Sequence, residues 1–392
     1  MVALSEIPII GVFFTPELWF WMALYAVVTL SLNLEAGLTG IPNFGRHLAV
    51  IVGAIMGAIV PGYLGMLLLP QSYKAEIANL TGLPPQNITL GLYASSYNSL
   101  VATELTKYYT TSPGVSFLVF MLTVVLAAVL GALVGAAAAY PAARLREDYL
   151  AITLLAAGEA ALIISYNVGL LGGTQGLTVP NALAWLDNIF GFLGPQAHMA
   201  SSLLIVALLL ALVYAYMELL VRSPAGRLLK GVRENDVAAE ALGKDTAKIR
   251  LKTLMLGSAI AAVAGAVFIM WTLGWIATTY NRVSWTFWPW AMMILGGAGN
   301  NFGVLVGSAI LASARQLITF NKDYIARLVP FDPVWLDPII LGLIIILVLM
   351  VRPQGIFPEK TTYPLPRDLL RKLAKKYGAP DEVKPTEKAA LE

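Results

Sequence analysis

The side chains most able to do chemistry are few and scattered. There are two histidines, His47 and His198, neither near a second imidazole in the sequence, so the HExxH zinc-protease pattern does not occur. No Gly-x-Ser-x-Gly elbow occurs either. Gly243-Lys244 is followed by Asp245 and lacks the upstream glycine of a phosphate loop, so any ATP that powers this chain binds to another one. Zero cysteines exclude disulfides, thiol catalysis and cysteine-ligated zinc or iron–sulfur centres. Glu159 stands within an apolar run, where an ionised carboxylate costs several kcal/mol unless it is paired or wetted. It is expected to point into a helix bundle, either bonding a neighbouring helix or lining a solute path. Asn33, Glu35 and Arg46 sit nearer one mouth of that path, where solvated, gating and binding roles are all open. Gly172-Gly173-Thr174 shapes either an outer vestibule or only a turn.

The most informative polar stretch is 226–243. Asn235 or Asp236 can cap a short helix there, and Val237, Ala238, Ala241 and Leu242 put apolar side chains on one face. Gly243 can end it. Such a helix is either a docking knob or an amphipathic connector resting on a membrane surface.

The elements that must position these residues are membrane helices. The chain is 58% hydrophobic and 12% charged, about half the charged fraction of an ordinary soluble domain. Its apolar residues come in blocks of about 18 to 25, enough at 1.5 Å per residue to cross roughly 30 Å of hydrocarbon. The fold class is therefore all-α and polytopic. About nine crossings are expected, at 18–36, 44–69, 114–139, 149–170, 198–221, 252–276, 284–296, 303–320 and 335–351. The Gly-rich segment 296–303 breaks the seventh from the eighth as a hairpin; the rival is one long span over 284–312. Met1 to Phe14 has no basic n-region or clear cleavage site and is expected to stay attached.

The net charge of +3 does not point to nucleic acid, because the basic residues fall between apolar blocks and in the tail. Arg144 and Arg146, the cluster 222–252, and the series from Arg352 through Lys376 mark three cytoplasmic regions. The N-terminus and the 70–113 loop then face outside, and all nine Trp fall at the outer side; Arg315, Lys322 and Arg327 fit this less well. The outer loop carries Asn79-Leu80-Thr81 and Asn87-Ile88-Thr89, both glycosylation acceptors where the machinery exists. The membrane domain is read as 1–352 and the cytoplasmic tail as 353–392, with a short basic helix around 367–377. Asn43-Phe44-Gly45 and Asn301-Phe302-Gly303 faintly suggest an internal duplication.

The 226–243 loop, followed by Gly257, Ala261, Ala262 and Gly265, resembles the permease subunits of branched-chain amino-acid ABC transporters. Further matches run in order: Gly37-Leu38-Thr39-Gly40 and Asn43-Phe44-Gly45, then 146–152, Gly158-Glu159 and Gly172-Gly173-Thr174-Gln175-Gly176-Leu177, and finally Leu295-Gly296-Gly297-Ala298-Gly299 and Arg352-Pro353-Gln354-Gly355. The resemblance covers about residues 25 to 357; the 70–113 insertion, the long tail and Arg46-His47 depart from it. It implies a pair of permeases, similar or identical, with two cytosolic ATPase subunits carrying ATP and Mg, and an external solute-binding protein. On that footing 222–251 is the coupling loop. Arg233, Glu234, Asp236, Ala238, Ala239, Glu240 and Gly243 would serve ATPase coupling, with small residues at Ala238 and Ala239 allowing close approach. Glu159, Asn33, Gly173 and Thr174 would border the translocation path. The alternatives are a secondary transporter, which would need several midplane acids where only Glu159 qualifies, and an intramembrane enzyme, for which no nucleophile–base pair emerges.

Overall fold

The computed structural model describes residues 13, 15–142, 147–322, 326, 332 and 335–359. Arg144, Arg146, Arg327, the first twelve residues, Phe14 and the expected tail helix at 367–377 lie outside the described residues.

The membrane helices are α1 (Pro16–Leu32), α2 (Arg46–Ile59), α5 (Pro113–Ala142), α6 (Glu147–Asn167), α7 (Ala197–Arg222), α10 (Thr246–Thr272), α12 (Asn301–Phe320) and α13 (Leu336–Val351). With their helical extensions, seven of these are long and apolar enough to cross a membrane, α13 being shorter. The arm expected at 284–296 is present, but it is five residues of π-helix, Val283–Phe287, followed by the nine-residue α11 (Trp288–Gly296). At 1.5 Å per residue that is about 21 Å, short of a full crossing. Gly297 (φ 113°) and Gly299 (φ 82°) separate α11 from α12, which excludes the single span over 284–312.

Helix α10 is the hub. It packs on α5, α2 and α1, and 78% of its most apolar window is buried, as in α1, against 22% in α6 and α7. In lipid, helices gain little from burying apolar side chains and associate by close backbone approach at small residues. Gly53 and Gly57 on α2 meet Ala262 and Ala266 on α10, and a Cβ at Gly53 would lie 1.7 Å from the Ala262 carbonyl oxygen. Gly131 and Gly135 on α5 rest in the same way on Ser258 and Leu254. Gly296 and Gly303, with Gly307 against Met292, bring the antiparallel arms α11 and α12 together.

The hairpin tip is latched by the segment after α13. The amides of Ile356 and Phe357 donate to the Leu295 and Gly296 carbonyls at 2.8 and 3.0 Å. Asn300 caps α12 by accepting from Phe302 and Gly303, and its Nδ2 donates to the Phe357 carbonyl at 3.1 Å. The compact unit that holds the bundle runs to Pro358.

Residues 70–113 are more than a loop. They fold as α3 (Gln71–Thr81) and α4 (Asn98–Thr111) with 3-10 turns between, and Asn79 and Asn87 are exposed. Pro61 lacks an N–H and lies in the π-turn Val60–Leu64, which frees carbonyls at the end of α2. Buried tyrosines answer them: Tyr93 donates to the Ala58 carbonyl at 2.9 Å and Tyr109 to that of Pro61 at 2.5 Å. Burial raises both phenol pKa values.

The tryptophans differ from the interfacial reading. Trp275, Trp285 and Trp288 are fully buried, and Trp21, Tyr25, Phe268, Trp271, Tyr280 and Trp285 form one aromatic cluster between α1, α10 and the start of the hairpin. Trp290 donates to the Asn43 carbonyl, beyond the far end of α1 from Trp19. Lipid can order Trp at its surface, but so can a core that needs large side chains.

Candidate functional site

Helix α1 passes into the π-turn Asn33–Gly37, whose extra residue per turn re-aims its polar side chains. Asn33 Oδ1 accepts from the Gly299 amide at 2.8 Å, and its Nδ2 donates to Asn301 Oδ1 at 3.1 Å. Asn301 in turn donates to Glu218 Oε2 on α7 at 3.4 Å. Asn33 therefore ties α1 to the hairpin tip. Asn43 accepts from the Gly45 amide as Asn300 does from Phe302, but only Asn300 caps its helix, so the two Asn-Phe-Gly tripeptides are not used alike.

Glu35 and Arg46 form an ion pair with both side chains fully buried, which removes the solvated role open to them in the sequence. Asn43 Nδ2 donates to Glu35 Oε2 at 2.7 Å, and Arg46 Nη1 donates to the Gly257 carbonyl at 2.9 Å. Gly257 is required there, since a Cβ would strike Glu35. The pair pins the turn between α1 and α2 to the hub helix.

The loop expected to couple to ATPases folds as α8 (Pro224–Glu234) and α9 (Asp236–Ala241). Asn235 caps α9 by accepting from the Ala238 amide at 2.9 Å, and Gly243 (φ 77°) closes it. Val237 and Leu242 are 71% and 80% exposed, with Ala238 and Ala241 also outward, so the apolar face has no partner among the described residues. Ala239 is buried and packs inward, away from that face. Asp236 pairs with Arg250 at 3.1 Å and Glu240 with the Thr246 hydroxyl, which fixes α9 on the start of α10. Glu234 is exposed. Asp245 caps α10; the Lys248 amide and ammonium hold its carboxyl below the usual range. Arg233 reaches back, donating to the Gly37 carbonyl and packing against Gly40. The loop is thereby joined to the π-turn that carries Asn33 and Glu35.

Glu159 faces a polar group from two other elements. Arg282 Nη1 lies 3.3 Å and His47 Nε2 3.9 Å from Glu159 Oε1. His47 Nδ1 is 3.0 Å from Thr286 Oγ1, which also accepts the His47 amide. Sequence reasoning placed Glu159 but passed over Arg282, which supplies its charge partner. The signal was there, because Arg282 is the single basic residue between Lys252 and Arg315. Arg315, which fitted the charge pattern poorly, is a structural residue. It pairs with Asp337 at 2.9 Å and donates to Ser284 at 2.9 Å and to Tyr25, so it does not report sidedness.

Gly173 and Thr174 are not brought to this group by any contact in the described residues. Gly172 and Gly176, both at positive φ, make a tight turn into strand β1 (Leu177–Thr178), which pairs antiparallel with β2 (Gly274–Trp275). Thr174 is exposed on that turn and Gly173 has open space beside it.

The family described as the permease component of the branched-chain amino acid transport system matches residues 15–349. The chain belongs to that family. It is 39% identical over 345 residues, 87% of this chain and 92% of the relative, to a probable branched-chain amino acid transport permease protein LivM of Methanocaldococcus jannaschii. The LivM high-affinity permease protein of Escherichia coli is 27% identical over 56% of this chain and 53% of its own length. A probable LivH permease of M. jannaschii is 28% identical over 53% of this chain and 61% of its own. No solved structure matches. The chain is thus a multi-pass membrane transport subunit, not an enzyme.

Proposed function

We propose that this permease imports branched-chain or related small amino acids by alternating access, driven by two separate cytosolic ATPase subunits that bind ATP and Mg. It works beside a second permease, similar or identical, and receives solute from an external binding protein. The N-terminus and the 70–113 cap face outside; the 222–251 loop and the tail face the cytoplasm. The observation that supports the reading is the capped helix α9, which offers an exposed apolar face while Arg233 beside it is bonded to the π-turn of the bundle. A helix that docked an ATPase on Val237 and Leu242 would pull directly on the seam containing Asn33, Glu35 and the hairpin tip.

Val237→Asp combined with Leu242→Asp tests this, since both side chains are outward and the fold does not use them. The expected result is loss of ATPase pull-down and of transport in reconstituted vesicles, with membrane insertion unchanged. Full ATPase binding and transport in the double variant would refute the docking role of α9.

A further inference from the structure

The ion pair of Glu159 with Arg282 is not closed off. At 3.3 Å it is wider than the shortest charge-assisted contacts, and the two side chains are 29% and 49% exposed. Beside it, the fully buried His47 has no hydrogen-bond partner for Nε2. The Thr286 hydroxyl accepts the His47 amide and lies 3.0 Å from Nδ1, which leaves Nε2 facing the pair, 3.9 Å from Glu159 Oε1. Gly158 makes room for the ring, because a Cβ there would lie 2.2 Å from Nε2. A half-open ion pair on a membrane helix is too costly to leave against hydrocarbon, so this face borders water or another subunit.

We propose that Glu159, Arg282 and His47 bind the head group of a zwitterionic α-amino acid in transit. The inference rests on the importer reading above. The ammonium sits on Glu159, and the carboxylate is shared by the remaining Arg282 N–H groups and His47 Nε2–H. One ion pair is replaced by two, and because the ligand is neutral overall the occupied site gains no net charge. The side chain has a shelf nearby. Phe44 stacks on Trp290 at 4.7 Å and meets Phe287 at 6.3 Å, all three half-buried. Phe44 immediately precedes Gly45, which backs onto Leu154, and Leu154 lies about one helical turn, roughly 5.4 Å, along α6 from Gly158, onto which His47 backs. An apolar, branched side chain fits such a surface, whereas a simple amine or a simple acid leaves Arg282 or Glu159 without its second partner.

The test uses the purified permease–ATPase complex without the external binding protein, in nucleotide-free vesicles, with labelled leucine in equilibrium dialysis. Isopentylamine and 4-methylpentanoate, which are leucine without its carboxylate and without its amine, should each compete about tenfold to a hundredfold more weakly than leucine. Glu159→Gln and Arg282→Gln should each lower leucine affinity by a similar factor while still assembling with the ATPase subunits. The charge-swapped pair, Glu159→Arg with Arg282→Glu, should assemble as well, because the ion pair is kept, and should still not bind leucine at parental affinity. Equal competition by either analogue, parental affinity in either single variant, or restored binding in the swapped pair would overturn the site. A wild-type complex that neither binds nor, with its binding protein, imports any amino acid would instead overturn the importer reading itself.

Discussion

Removing either partner of the Glu35–Arg46 pair leaves a charge in a place with no water to screen it. Breaking a buried pair from one side costs about 3–5 kcal/mol, whereas replacing both partners by apolar residues is often close to neutral. Glu35→Leu and Arg46→Leu should therefore each lower the unfolding temperature in detergent sharply, and the double variant should lie above either single one. Additive losses would show that the two side chains act separately. At this scale the sequence was partly readable. Glu159 could be found because a carboxylate in an apolar run must have a partner, but its partner Arg282 arrives from a loop distant in the chain. Ala239 shows a different limit: on a helix of six residues, one position of rotation decides whether a small side chain faces a partner or the bundle, and here it faces the bundle. Ala239→Trp would thus disturb the loop's own packing, and the docking face is read through Val237 and Leu242.

Helix contacts in this bundle are set by backbone proximity, so bulk at the contact glycines should be punished more than loss of hydrophobicity elsewhere. Gly53→Leu places side-chain atoms where the Ala262 carbonyl already stands, and overpacking of this kind costs about 1–3 kcal/mol or more. Expression of folded protein, followed by size-exclusion chromatography, should collapse for Gly53→Leu and stay unchanged for Gly231→Ala, which has nothing within 4 Å. Comparable behaviour of the two would mean α2 and α10 can separate freely. The long spans were legible because apolar length is a one-dimensional property. The glycine break between α11 and α12 was legible for the same reason. The cap at 71–111 was not, because its helices are mostly polar and are held by tyrosines reaching carbonyls that only Pro61 and a π-turn expose.

Across the whole molecule, the tip of the α11–α12 hairpin lies where three distant stretches converge: the π-turn through Asn33, the end of α7 through Glu218, and residues 356–358. The last of these contacts sets an order of biogenesis. A ribosome releases 295–303 long before 356 and 357, so the hairpin must enter the membrane with its tip unlatched and wait for α13 to be inserted behind it. Until then the Leu295 and Gly296 carbonyls have no amide from downstream, and the nascent chain exposes a Gly-rich segment open to insertion factors and proteases alike. A chain stopped after Val351 should accordingly be cut by an added protease within 296–303, while one stopped after Glu359 should resist as the full chain does. Equal resistance would mean the hairpin closes on its own. Protection of the tip would otherwise report that the residues following α13 have been made and docked.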